Sequence, residues 1–412
     1  MWIMILYKKG LLAHAMETLK IKELRPWQEP VFKDILAFRD VLYTAPTGQG
    51  KSALFQLPAV MERGEHLTIV VSPMLALQYD QVKKLKSNGV AACALNSDLT
   101  PAARRTMLEA LPHMMLLYLA PEQLSRGDLR EALRYCDVSR VVVDEAHMMV
   151  QTRDSFRPSY GMIGAFIQAL PNRPQTIACT ATATKQGCQD IQQALGMRDC
   201  VCHCSSVYRK NLHLAVREVG HRNQLPAAVL SELEDWNRKG LALVFCPTVL
   251  DVQYLTKYLK SHGWKACGYY AEMSKKEKEA CARDYAAEKY NVMIATSAFG
   301  LGVDIPNVRL VIHAGLPLGL SDYTQQIGRG GRNGKKTHCI LLYAPGDEKR
   351  ALRILKGNAG EAVSPIKKHG IAALVRAIQS PDCLWGSIAK YYGERVKISC
   401  GHCTQCRRKK NT

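Results

Sequence analysis

Ten short apolar runs of strand length, separated by stretches with helical patterning, fall into two series along this chain. The first series is Val41–Thr44, Thr68–Ser72, Met114–Leu119, Arg140–Val143 and Thr176–Thr180. The second is Leu241–Cys246, Lys265–Tyr270, Val292–Thr296, Val308–His313 and Cys339–Tyr343. A run that is apolar at nearly every position must be buried on both faces, as in a parallel sheet with helices on either side. Single cores rarely grow beyond about 250–300 residues, and this chain has 412. The pattern therefore predicts an α/β fold of two tandem, doubly wound lobes with parallel sheets. The polar stretch around 205–211 reads as a linker, giving lobes at 1–205 and 206–346. A helical, basic tail is expected at 347–412, with 14 Lys+Arg against 5 Asp+Glu, so that 9 of the 20 net positive charges lie there.

A net charge of +20 and a pI near 9.4 favour a polyanionic partner, either nucleic acid or an anionic surface. No apolar run reaches the roughly 18 residues that a membrane span needs. The opening Met1–Leu6 is followed by Lys8 and Lys9, the wrong order for an export signal. Fifteen cysteines without such a signal point to a reducing interior, the cytoplasm or nucleoid of a prokaryote or the nucleus of a eukaryote. Most should be small buried apolar groups, among them Cys179, Cys246 and Cys339.

Directly after the first run comes Ala45-Pro46-Thr47-Gly48-Gln49-Gly50-Lys51-Ser52. Glycines let backbone N–H groups wrap phosphates, a lysine balances the β- and γ-phosphate charge, and a hydroxyl reaches Mg²⁺. The helix opening after Ser52 adds its positive end. Thr47, Gly48, Gln49, Gly50, Lys51 and Ser52 are thus the expected ATP cradle. Asp144-Glu145-Ala146-His147 closes the run Arg140–Val143, so that Asp144 can hold Mg²⁺ with Ser52 while Glu145 activates water. By itself an acidic pair after a strand reads equally as a solvated loop; the phosphate loop decides between them. Arg329 and Arg332, in Gln325–Gly334, lie in the second lobe. An arginine inserted at the γ-phosphate from there would make hydrolysis depend on lobe closure.

Cys400, Cys403 and Cys406 repeat at two-residue spacing, with Cys383 seventeen residues upstream. Four soft ligands fit a closed tetrahedral Zn²⁺ site, and a [4Fe–4S] cluster uses the same three-cysteine spacing. Cys200, Cys202 and Cys204 alternate around His203, which puts three sulfurs on one strand face; packing is the plainer reading and metal binding the second.

Taken in order, these motifs resemble those of the RecQ family of superfamily 2 helicases, over about residues 20–406. Leu24-Arg25-Pro26-Trp27-Gln28 is similar to the family's leading motif, which implies adenine recognition by Arg25 and Gln28. Val70–Leu77 and Tyr118–Glu122 look like its DNA-backbone motifs, and Ala178–Ala183 like the motif linking ATP to DNA. Ala295–Asp304 resembles its motif V, placing Asp304 at the nucleotide. The resemblance implies RecA-like lobes, catalytic roles for Lys51, Asp144, Glu145, His147, Arg329 and Arg332, and zinc on Cys383, Cys400, Cys403 and Cys406, with His402 as a spare. It also implies ATP and Mg²⁺ as cofactors and 3′→5′ movement of a monomer on single-stranded and partially duplex DNA, in repair or recombination. An RNA helicase, or an ATP-switched nucleic-acid-binding module with weak unwinding, are the other readings.

Three departures stand out. Ile21 occupies the place of an aromatic before the leading motif. Tyr269-Tyr270-Ala271-Glu272 replaces Tyr-His-Ala-Gly. Thr152 and Asp154 stand where the loop after Asp144–His147 usually has Trp and His, leaving Phe156-Arg157-Pro158 of that loop. The winged-helix and helical accessory domains common in the family are not expected after Cys406.

Overall fold

The computed structural model of the chain describes residues 2–46, 48–151, 158–236, 239–299, 305–357, 362–395 and 398–411. It divides into two compact units, Met1–Ser205 and Ser206–Thr412.

The first unit holds a seven-stranded sheet. Its strands in chain order are β1 Val41–Thr44, β2 Leu67–Val71, β3 Ala92–Leu95, β4 Leu116–Leu119, β5 Val138–Asp144, β6 Gln175–Thr180 and β7 Val201–Cys204. They lie in the order β3-β4-β2-β5-β6-β1-β7, each parallel to its neighbours. Successive side chains of a strand point to opposite faces, and both faces are used. In β5, Val141 and Val143 join one apolar layer while Val142 joins the other. All three are fully buried, a stabilisation of roughly 1.5–3 kcal/mol each before entropy is counted.

The second unit repeats the scheme with β8 Leu212–Glu218, β9 Leu241–Phe245, β10 Ala266–Tyr269, β11 Val292–Ala295, β12 Val308–Ala314 and β13 Thr337–Tyr343. The order is β10-β11-β9-β12-β13-β8, again all parallel. Leu241, Leu243 and Phe245 face one layer, and Ala242, Val244 and Cys246 the other.

All ten runs read from the sequence overlap strands. Three strands, β3, β7 and β8, lie outside those runs. β3 is a short run in which three of four residues are small, β7 carries His203 among its cysteines, and β8 alternates buried leucines with half-exposed His213 and Ala215, so none stands out as a long apolar run. The tail is helical, at Asp347–Lys356, Pro365–Gln379, Leu384–Tyr391 and Thr404–Asn411. Among its described residues, Leu374, Trp385, Ile388 and Cys403 pack in the same layer as Leu214 and Leu243. Among the described residues no helix is long and apolar enough to cross a membrane.

Candidate ATP site and cysteine centre

The C-terminal ends of β5, β6 and β1 lie side by side, so whatever follows those strands shares one edge of the first sheet. The phosphate loop leaves β1 there. Gly48 and Gly50 take left-handed φ values of 82° and 79°, which residues with a Cβ rarely adopt. Ser52 directly precedes the helix Ala53–Met61, whose first N–H groups, those of Ala53, Leu54 and Phe55, donate to the Gly50, Lys51 and Ser52 carbonyls at 3.2–3.3 Å. Lys51 Nζ donates to the Ala45 carbonyl at 2.9 Å, and Tyr43 Oη donates to the Lys51 carbonyl at 2.9 Å. Thr47 lies outside the described residues.

Arg25 and Gln28 meet this loop from the segment ahead of β1. The Arg25 guanidinium donates to Gln49 Oε1. Buried Gln28 spends both ends of its amide: Oε1 accepts from the Arg25 N–H at 2.8 Å and Nε2 donates to the Gly50 carbonyl at 2.9 Å. A Cβ on Gly50 would come within 3.1 Å of that Nε2. Gln28 is therefore a brace for the loop, whatever else it touches.

Asp144 closes β5. Its Oδ1 accepts from the Glu145 N–H at 2.9 Å and from the Cys179 thiol at 3.3 Å. Burial, then the neighbouring Glu145 charge, raise the Asp144 carboxyl to about 6, against the opposing pull of Lys51. A divalent cation would relieve both causes, which is the electrostatic fit expected of a Mg²⁺ site. Glu145 itself sits at φ 50°, a left-handed conformation costing a non-glycine residue roughly 1–2 kcal/mol. The bonds from Ala146 N to the Cys179 carbonyl (3.0 Å) and from Met148 N to the Glu145 carbonyl (2.9 Å) hold it in place. His147 Nδ1 lies 3.3 Å from Glu145 Oε2 and 2.9 Å from Thr180 Oγ1. The histidine thus ties the acidic pair to the end of β6, where the motif Ala178–Ala183 runs.

In the second unit, Arg329 and Arg332 are half-buried on the turn after the helix Leu320–Ile327. The turn is tightly held. Arg209 donates to the Gly328 carbonyl at 3.1 Å and the Gly331 carbonyl at 2.6 Å, and Asn211 Nδ2 to the Gly331 carbonyl at 2.9 Å. A Cβ on Gly331 would stand 2.5 Å from Asn211 Nδ2 and 2.7 Å from Thr337 Oγ1. Arg209, which is buried, and Asn211 come from the stretch read as linker; charge and polarity there suggested solvent, and nothing local announced their carbonyl partners. Asp304 lies outside the described residues, as do Thr152–Arg157 of the altered loop.

The sulfurs of Cys383, Cys400, Cys403 and Cys406 all lie within 4.8 Å of one another. Cys383 and Cys403 are 3.9 Å apart, and Cys400 and Cys406 4.0 Å. Four thiolates at the usual Zn–S length of about 2.3 Å would stand about 3.8 Å apart at tetrahedral angles. The Cys400 N–H points to Cys383 Sγ and the Cys403 N–H to Cys400 Sγ, each at 3.3 Å, as negative sulfurs require. His402 turns elsewhere, its ring stacked on His213 at 4.1 Å.

Comparison with known proteins agrees with this geometry. A family model described as DEAD/DEAH box helicase matches residues 25–191, and one described as Helicase conserved C-terminal domain matches 224–334. The probable ATP-dependent DNA helicase RecS of Bacillus subtilis is 34% identical over 357 residues, 86% of this chain and 70% of that protein. The ATP-dependent DNA helicase RecQ of Synechocystis is 36% identical over 326 residues, 76% of this chain and 67% of its own length. The chain belongs to the RecQ family. It spans 61% of the RecQ of Haemophilus influenzae, to which it is 31% identical over 389 residues. The fold of this RecQ-family chain also matches more distant solved structures. Mss116p bound to ssRNA and AMP-PNP superposes with a TM-score of 0.70 at 18% identity, covering 93% of this chain and 88% of that one. Mycobacterium smegmatis Lhr bound to ssDNA and AMP-PNP gives 0.67 at 20%, covering 93% and 55%.

Proposed function

We propose that this RecQ-family chain is an ATP-dependent 3′→5′ DNA helicase or translocase, acting inside the cell on single-stranded and partially duplex DNA in repair or recombination. The observation that carries the reading is the convergence of Lys51, Asp144, Glu145 and His147 on one sheet edge, in a chain of this family. Lys51 and the loop N–H groups bind the phosphates of ATP, and Ser52 and Asp144 would hold Mg²⁺, which would neutralise phosphate charge. Glu145 orients water for attack, and His147 relays its position to the end of β6. The zinc that fits the four cysteines would serve folding. Parallel assays of ATP hydrolysis and strand displacement on 3′-tailed, 5′-tailed and RNA duplexes test the reading. Displacement confined to 5′ tails, or stimulation by RNA alone, would reject it.

Arg332→Ala should retain ATP binding and lose hydrolysis on the order of 10³-fold, the scale on which an arginine stabilises charge on the γ-phosphoryl. A nucleotide Kd near that of the parent together with a slow single-turnover rate is the expected pair of results; weakened binding at an unchanged rate would assign the arginine to the ground state.

Coupling to DNA should be weaker than in relatives with an intact aromatic loop. A base stacked on an aromatic gains roughly 1–3 kcal/mol, whereas Asp154 repels phosphate. Phe156 and Arg157 would then carry what coupling remains. Phe156→Ala should lower the DNA-stimulated ATPase rate and spare the basal rate; an equal loss of both would make Phe156 a packing residue.

A further inference from the structure

One amide buried in an apolar layer of the first sheet ties the phosphate loop to two elements far from it in sequence. Gln56 lies on the first turn of the helix Ala53–Met61, and its backbone N–H donates to the Ser52 carbonyl at 3.0 Å. Its neighbours Leu54, Phe55 and Leu57 are core residues, and Gln56 is itself buried. An amide in such surroundings must be paired. Gln56 Nε2 carries two protons and makes two bonds. One goes to Tyr118 Oη on β4, at 2.9 Å. The other goes to Gln81 Oε1, at 2.8 Å, on the helix Leu75–Ser87 that follows β2. Burial holds the Tyr118 hydroxyl above its ordinary range, so it stays neutral beside the amide.

Further bonds close the circuit. Gln78, one turn before Gln81 on the same helix, donates from Nε2 to the Ser72 carbonyl at 2.7 Å. The Ser72 N–H in turn donates to the Leu119 carbonyl at 3.0 Å, one residue past Tyr118. Ser72 and Leu119 stand at the carboxyl ends of β2 and β4, on the edge that also carries the loop after β1, where open parallel sheets take their ligands. Apolar contacts alone tolerate small shifts of a helix against its layer, whereas an amide with both protons bonded specifies one setting. We propose that Gln56 is a positioning residue that couples the two halves of this edge, so that nucleotide bound at the phosphate loop sets the segments leaving β2 and β4. The coupling presupposes the reading of the chain as an ATP-driven DNA motor, in which those segments meet the nucleic-acid backbone.

A coupling residue leaves a signature that a packing residue does not. Coupling is reciprocal: the factor by which nucleotide changes DNA affinity is the factor by which DNA changes nucleotide affinity. Gln56→Leu keeps the bulk of the side chain and removes both bonds. Each ligand alone should then bind as it does to the parent, and only the influence of one on the other should shrink.

The test measures the Kd of the full-length protein for a labelled oligothymidine with and without saturating Mg²⁺ and AMP-PNP, and the Kd for AMP-PNP with and without the oligonucleotide. In Gln56→Leu the ratio of the two DNA constants should move towards one by about fivefold, the low end of ordinary coupling between sites. The nucleotide ratio should change by the same factor, and the constants for each ligand alone should stay near those of the parent. Tyr118→Phe, which removes one oxygen and keeps the ring, and Gln81→Leu each delete one bond and should shift the ratio less, in the same direction. Adding Tyr118→Phe to Gln56→Leu should change the ratio little further, because the bond between them is already gone. Should Gln56→Leu melt early, the two single-bond variants carry the same test. Ratios equal to the parent's in the folded variants, or weaker binding of AMP-PNP alone at an unchanged ratio, would overturn the proposal and leave the motor reading standing. A parent in which neither ligand alters the other's Kd would overturn both.

Discussion

Lys51→Ala and Glu145→Gln are each expected to bring ATP turnover down to assay background while melting temperature and retention on DNA stay near those of the parent. The two act at different steps. Lys51 Nζ is the ammonium of the phosphate loop, and its one described bond is to the Ala45 carbonyl. The bond from Tyr43 Oη reaches the Lys51 backbone and survives truncation. Truncation therefore leaves the loop path in place and removes the charge that faces ATP. Glu145→Gln keeps shape and backbone preference, so the strained φ of 50° is neither relieved nor worsened. It replaces a carboxylate that can orient water with an amide that cannot accept its proton. Nucleotide binding separates the two: it should weaken in Lys51→Ala and persist in Glu145→Gln. Turnover retained in either variant would sink the motor reading, because that reading assigns phosphate binding to Lys51 and water orientation to Glu145.

What could be read in advance follows from how local each feature is. The phosphate loop needs eight consecutive residues after a strand, and the structure bends them at Gly48 and Gly50 with Ser52 at the head of a helix. The four metal-type cysteines needed only spacing. By contrast, Arg209 lies more than a hundred residues from the Gly328 and Gly331 carbonyls it holds, so its sequence neighbourhood describes a linker and its fold neighbourhood a brace. The Cys179 thiol on Asp144 is of the same kind: a residue predicted as buried packing that also positions a carboxylate, because β5 and β6 are neighbours only once the sheet forms. The left-handed Glu145 had no signal at all, since left-handed residues are ordinarily glycine, asparagine or aspartate. The shared core of the tail and the second sheet was hidden for a related reason. Helical periodicity says that a face must be covered, and not by which element.

Purified protein should contain one zinc per chain and no iron, and Cys403→Ser should lower the melting temperature of the second unit by roughly 8–16 °C. Loss of a structural metal belongs among the few single changes costing about 4 kcal/mol or more. Each kcal/mol moves the midpoint of a unit of 150–250 residues by roughly 2–4 °C. The effect should reach well past the cysteines. Cys403 is fully buried, and the next residue, Thr404, accepts the Val216 N–H on its Oγ1 at 3.0 Å. Val216 belongs to β8, the edge of the second sheet, so this side chain covers a backbone donor that the sheet leaves open. Trp385 adds a second tie, its Nε1 donating to the Leu212 carbonyl at 3.1 Å, while Gln405 Nε2 reaches the Ile378 carbonyl at 3.4 Å. Without the metal, four thiols are left around a centre that their own mutual contacts fill poorly, and Thr404 is released from β8. Hydrogen exchange should then show the Val216 amide losing protection in Cys403→Ser and in chelator-treated parent alike, while the amides of β5 and β6 in the first unit keep theirs. An iron–sulfur absorbance band, a metal-free protein that melts at the same temperature, or an unchanged Val216 amide would each refute the zinc assignment.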